Sequence, residues 1–121
     1  MLTVFLSITG QTRKFVAKLG YETFEITPDT AYTEVQEPFI LVVPTYDIEA
    51  TEIVNEFIET GHNAHYLKGV AGGGNRNFNT LFGFTAKDIS RDYNVPLLHL
   101  FEFQGSDNDV NKLKEQVDNL G

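Results

Sequence analysis

An α/β protein built on a five-stranded parallel sheet, in strand order 2-1-3-4-5 with helices on both faces, is the fold class this sequence predicts. Three observations carry it. Short apolar, β-rich runs alternate with segments of helical period, in the order βα β βα βα βα. One run, Phe39-Ile40-Leu41-Val42-Val43, is apolar at every position, as a strand covered on both faces must be. The loops richest in glycine and hydroxyl groups follow strands, at the carboxyl ends where open sheets of this class bind ligands.

Taken in order, Leu2–Leu6 reads as the first strand, the Ser7–Thr12 turn follows, and Arg13–Leu19 has helical periodicity. Gly20 ends that helix, and Tyr21–Ile26 alternates with period two, as a half-exposed edge strand does. Pro28–Pro38 is polar with two prolines and reads as a loop. After Phe39–Val43 comes the Pro44–Glu49 loop. Thr51 then caps a helix whose Ile53, Val54, Phe57 and Ile58 form one stripe, with Gly61 past its end. Ala64–Val70 is the fourth strand and runs into a loop, Ala71-Gly72-Gly73-Gly74-Asn75-Arg76-Asn77-Phe78. Phe82, Ala86, Ile89 and Tyr93 mark the next helix, and Pro96–Phe103 the last strand. Gly105-Ser106-Asp107 opens a closing helix with Ser106 as its cap and Val110, Leu113, Val117 and Leu120 facing inward. In this topology the loops Ser7–Thr12, Thr45–Glu49 and Gly72–Phe78 converge at the switch point beside the first strand.

The bulk composition narrows the function classes. At 121 residues and 41% hydrophobic content, the expectation is one domain over residues 1–121 with a real core. With no cysteine, disulfides, thiol catalysis and iron–sulfur or zinc–thiolate sites are excluded. No long apolar segment or basic leader precedes the first strand, so a cytoplasmic protein with no membrane partner is expected. The net charge is −8, and Leu19 to Leu67 holds no lysine or arginine against ten carboxylates. Phosphate contacts need a basic face, so no nucleic acid is expected as a partner. A solvated acidic surface explains the run, and a basic protein partner would also fit it.

Two stretches carry chemistry. Ser7-Ile8-Thr9-Gly10-Gln11-Thr12 aims backbone N–H groups and three hydroxyls at the start of a helix, which suits a phosphate. It lacks Gly-Lys-[Ser/Thr] and Gly-x-Gly-x-x-Gly, so neither the nucleoside-triphosphate loop nor the dinucleotide fingerprint is present. A turn that merely caps its helix would read the same way. The second stretch is the triple glycine. Glycine costs about 0.5–1 kcal/mol relative to alanine in regular structure, so three in a row need a reason. Close approach of a flat ring to bare backbone is one, with Asn75 and Asn77 as further donors and Phe78 or Tyr46 for stacking. An ordinary flexible loop is the other. His62 and His65 lie at a helix end where ligands would not converge on a metal, and His99 reads as a packed strand residue. Arg76 is either a docking residue or a solvated loop charge. No side-chain constellation for acid, base or nucleophilic catalysis stands out, and no metal site.

Four segments together resemble the NrdI family, flavodoxin-like partners of class Ib ribonucleotide reductase. They are Ser-x-Thr-Gly-x-Thr (Ser7–Thr12), Val-Val-Pro-Thr-Tyr (Val42–Tyr46), Gly-x-x-Gly-Asn-Arg-Asn-Phe within Gly69–Phe78, and Val-Pro-Leu-Leu-His-x-Phe-Glu-x-x-Gly (Val95–Gly105). The resemblance implies a flavodoxin-like three-layer α/β/α sandwich that binds FMN. It implies that Ser7, Ile8, Thr9, Gly10, Gln11 and Thr12 hold the phosphate. The ring would lie between Thr45, Tyr46 and Asp47 on one side and Gly73, Gly74, Asn75, Asn77 and Phe78 on the other. The implied activity is reduction of O2 to a superoxide-type oxidant. That oxidant would help assemble the dimanganese and tyrosyl-radical cofactor of an NrdF-type small subunit, with a flavin or flavodoxin reductase as electron source. The protein would supply binding and docking, the cofactor the chemistry.

The chain departs from the family pattern at Asp47-Ile48-Glu49, where glycines are usual, at Gly73 in place of serine, and at Asn79 in place of glycine. A carboxylate ~8 Å from the ring at an effective dielectric of ~20 would disfavour an anionic reduced flavin by about 2 kcal/mol. That corresponds to a potential lower by roughly 90 mV. A general flavodoxin electron carrier and a cofactor-free interaction module of the same fold are the alternatives. A phospho-receiver domain is excluded, since Ser7, Val43 and Phe103 stand where it needs acidic residues and a lysine.

Overall fold

The structure, a computed structural model, describes residues 1–45, 48–75 and 82–120, with the backbone alone for 48–50. Its centre is the strand that the sequence makes apolar throughout, β3 (Phe39–Pro44). Phe39, Leu41 and Val43 pack into one core cluster, and Ile40 and Val42 into the other. That alternation is the strand period of two with both faces covered. β3 lies between β1 (Leu2–Phe5) and β4 (Leu67–Gly74), flanked by β2 (Thr23–Glu25) and β5 (Leu97–Glu102). The order is β2-β1-β3-β4-β5, and every pairing is parallel. The predicted flavodoxin-like α/β fold and its 2-1-3-4-5 order are both present.

Helices α1 (Gln11–Ala17) and α5 (Asp107–Asp118) cover one face through Phe15, Val16, Val110, Leu113 and Val117. Helices α2 (Ile48–Ile58) and α4 (Phe84–Tyr93) cover the other through Val54, Phe57, Ile58, Ala86 and Ile89. The rings of Phe15 and Phe101 stack at 3.8 Å and join α1 to the last strand. The edge strand β2 has only three residues, and Glu25 on it takes a two-point contact from Arg13, Nη2 at 2.6 Å and Nε at 3.2 Å.

Several boundaries differ from the sequence reading, each for a local reason. A short helix, α3 (Asn63–Tyr66), replaces the start of the expected Ala64–Val70 strand. Its anchor is Asn63, fully buried, whose amide donates to the carbonyls of Thr33 (2.9 Å) and Phe57 (2.8 Å) and accepts from the Val35 N–H (2.9 Å). β4 instead continues through Gly72, Gly73 and Gly74, paired with Val43–Pro44 on one side and Leu100–Glu102 on the other. The expected loop is strand there. Thr51 is the fourth residue of α2 and not its cap, because the helix starts at Ile48. Phe82 precedes α4, which opens at Gly83 in a left-handed conformation (φ 74°). α1 begins at Gln11, two residues before the expected start.

The Ser106 cap is present as a full capping box. Its hydroxyl accepts from the Asp109 N–H at 3.2 Å, and the Asp109 carboxylate accepts from the Ser106 N–H at 2.8 Å. Asp109 also meets His99 Nε2 at 2.8 Å, which makes His99 the packed and partnered residue expected of it. Partial burial works to raise the Asp109 pKa, but the bonds from Ser106 and His99 outweigh it and hold the carboxyl below its ordinary value. A depressed native pKa means stability that is complete above the unfolded value near ~4 and lost as pH falls through the native one. Asp109→Asn should therefore cost about 1 kcal/mol at neutral pH. In urea unfolding the gap to the parent should close as the pH falls through the depressed native value of Asp109.

Candidate functional site

A cavity of about 280 Å³ opens at the carboxyl edge of the sheet, lined by Ile8, Thr9, Gln11, Thr12, Pro44, Thr45, Gly73, Gly74, Asn75 and Phe103. Three of the segments expected to converge there do so among the described residues: the turn after β1, the end of β3 and the end of β4. Tyr46, Asp47, Arg76, Asn77, Phe78 and Asn79 lie outside the described residues, as does the side chain of Glu49.

The turn after β1 forms because Gly10 adopts a left-handed conformation (φ 92°), and a Cβ built there would meet nothing within 4 Å. Open space beside a left-handed glycine lets a ligand reach the amides directly. The Ser7 hydroxyl accepts from the Arg13 N–H at 3.3 Å, so it serves the first turn of α1, as the capping alternative requires. Ile8, Thr9, Gln11 and Thr12 line the cavity, whereas Ser7 and Gly10 are not among its lining residues. With Arg13 engaged by Glu25, the donors this turn brings to the cavity wall are neutral side chains and backbone groups.

Thr45 is the junction of the opposite wall. It is buried, its N–H and its hydroxyl both donate to the Gly73 carbonyl (2.7 and 2.8 Å), and the hydroxyl accepts from the Gly83 N–H at 2.8 Å. One side chain thus joins the ends of β3 and β4 to the start of α4, and the hydroxyl has a single lone pair left for a ligand.

The triple glycine has a packing cause. A Cβ on Gly72 would come within 2.7 Å of Ala86 Cβ, one on Gly73 within 2.7 Å of the Phe101 ring, and one on Gly74 within 2.7 Å of Thr45 Oγ1. The glycines let α4 and the Phe101 ring lie against bare backbone, and they leave Gly73 and Gly74 as a flat wall of the cavity.

Two wall residues escaped the sequence reading, Pro44 and Phe103. The sequence places Phe103 in the last strand, but it follows β5 with φ 53°, and the residue is 53% exposed. Its signal was the Gly105-Ser106 turn two residues on, which ends the strand before the aromatic side chain. Elsewhere, His62 precedes α3 and His65 lies within it. Among the described residues no group of three or more metal-binding side chains gathers, and no helix is long and apolar enough to cross a membrane.

Comparison with known proteins bears on the fold and the family. Among solved structures, a short-chain flavodoxin associated with a non-canonical PDU bacterial microcompartment superposes with a TM-score of 0.67 at 16% identity. The match covers 98% of this chain and 94% of that one. At that identity the likeness concerns the fold. The family described as "NrdI Flavodoxin like" matches residues 3–115, which include every described wall of the cavity. The chain belongs to the NrdI flavodoxin-like family.

Proposed function

We propose that the chain is a single FMN-binding domain that serves as an oxidant-generating partner of a class Ib ribonucleotide reductase small subunit. The observation that carries this is the cavity itself, with hydroxyls and amides of the β1–α1 turn at one end and bare glycine backbone along another wall. The residues fit the cofactor's chemistry. Neutral donors, with Gly10 leaving room for close approach, suit a phosphate, and a flat, largely apolar wall suits a planar ring. Ser7 through Thr12 would hold the phosphate. Thr45, Gly73, Gly74 and Asn75 would face the ring, together with Tyr46, Asp47, Asn77 and Phe78. The chemistry FMN supplies is one-electron reduction of O2, giving a superoxide-type oxidant for assembling the small subunit's metal and tyrosyl-radical cofactor. Electrons would come from a flavin or flavodoxin reductase, in the cytoplasm.

What the chain itself contributes is orientation and electrostatics. Among the described residues no lysine or arginine lines the cavity, and neutral donors would hold the phosphate there, so salt should weaken FMN binding only slightly. Asp47 and Glu49 would lower the flavin's midpoint potential. Asp47→Asn and Glu49→Gln should each raise it, by about 90 mV for a carboxylate ~8 Å from the ring, as read by anaerobic redox titration.

The deciding experiment adds FMN to the purified protein and follows the visible spectrum, then mixes the reduced complex with O2 and a class Ib small subunit. Uptake of FMN and a rise in tyrosyl radical are expected. A protein that takes up no FMN would remove the flavin from the proposal. One that takes it up but leaves the small subunit inactive would be an electron carrier instead.

A further inference from the structure

Phe103 carries a backbone conformation that bulky side chains rarely adopt. A left-handed backbone (φ 53°) is an outlier for a bulky residue without a short polar side chain. The other non-glycine residue with positive φ among those described, Asn94, has such a side chain and closes α4. The conformation is held from several sides. The Phe103 N–H donates to the Gly74 carbonyl at 2.9 Å, and the Gly105 N–H closes the turn on Glu102 at 2.8 Å. Lys18 Nζ reaches across from the end of α1 to the carbonyls of Gln104 (3.2 Å) and Gly105 (2.8 Å). Two residues earlier, Phe101 is 1% exposed and stacked on Phe15, whereas Phe103 is 53% exposed and lines the cavity wall. Among the described residues, Ile8 is the other exposed large hydrophobic on this cavity, at 37%. Strain maintained by surrounding bonds, on a residue that leaves an aromatic ring uncovered at a cavity, is the pattern of a ligand contact held ready.

We propose that Phe103 is a selectivity residue of this site, whose ring packs on the ring system of a planar aromatic ligand and favours it over ligands that offer only a phosphate. This rests on the flavin reading above and adds a residue to it. The backbone strain is borne in the free protein, so the ring needs no ordering when the ligand arrives.

The test measures dissociation constants for FMN and for riboflavin, which has the ring without the phosphate, by quenching of flavin fluorescence. It uses the parent, Phe103→Gly and Phe103→Leu, with thermal midpoints of each flavin-free protein. Phe103→Gly should weaken both flavins by the same factor, about tenfold, because the lost contact is with the ring they share. Phe103→Leu should fall between. Flavin-free Phe103→Gly should melt no lower than the parent, since glycine adopts φ 53° freely. The inference is overturned if both variants bind both flavins as tightly as the parent, which would assign the ring to a protein partner. It is equally overturned if only FMN is weakened, or if weakening comes with a lower midpoint. If the parent itself binds neither flavin, the functional reading falls and this inference with it. The parent's own result separates that case from the others.

Discussion

Gly72→Ala is expected to lower stability by about 3 kcal/mol, a large effect for one methyl group. The added Cβ would lie 2.7 Å from Ala86 Cβ and 3.1 Å from Leu100 Cδ2. The Leu100 methyl ends a flexible, half-buried side chain and can turn aside, but Ala86 has no rotamer and sits on α4. α4 must therefore lift from the sheet, and overpacking of this kind costs about 1–3 kcal/mol, occasionally more. For a domain of this size the melting temperature should fall by roughly 12 °C. Ala86→Gly alone costs about 1 kcal/mol through helix propensity. The double variant should recover most of the Gly72→Ala loss, so a strongly non-additive cycle in urea unfolding identifies the contact. Additive costs would mean that the glycine is needed for something other than this approach.

Thr45→Val is expected to cost about 2 kcal/mol and also to weaken FMN binding. Valine keeps the shape and removes the hydroxyl. The Gly83 N–H then loses its acceptor in a buried position, which costs about 1–3 kcal/mol for an orphaned donor. The Gly73 carbonyl keeps its bond from the Thr45 N–H at 2.7 Å, so the ladder itself should survive. The damage concentrates where α4 starts and where the cavity wall turns. Hydrogen exchange should show faster exchange at the Gly83 amide with little change at the β3 amides. Thr45→Ser, which keeps the hydroxyl, should restore most of the stability and the binding. A variant that loses stability equally with serine and valine would place the effect in the methyl group's packing.

The fold was legible where hydrophobicity and topology coincide. Phe39–Val43 could only be a central strand, and the Val110-Leu113-Val117 stripe with Ser106 before it could only be a capped amphipathic helix. The glycine run was misread because its cause lies in other segments. Nothing near Gly72 in sequence announces that Ala86 and Leu100 will press on it, and glycine's weak strand propensity points to a loop. Thr51 looked like a cap because hydroxyl residues usually are, whereas here it lies one turn inside α2. At the site, Thr9, Thr12, Thr45 and Gly73 were reached from motif and topology together, and the structure brings them to one cavity. Phe103 was not, because a left-handed residue at the end of an apolar run looks like one more strand position.

The cavity draws its walls from Ile8 at one extreme of the sequence and Phe103 at the other, with the Phe15–Phe101 stack and the Lys18 bridge fastening those extremes together. About 95 residues separate Ile8 from Phe103. At a synthesis rate of about 5–20 residues per second, roughly 5–20 s pass between the emergence of the first wall and the last. During that interval the β1–α1 turn exists without the β5 end that closes on it. A small molecule that binds only the finished cavity stabilises the native state by mass action and cannot template the earlier stages. Scarcity of that molecule during growth would therefore leave folding yield unchanged and shorten the lifetime of the completed chain against proteolysis.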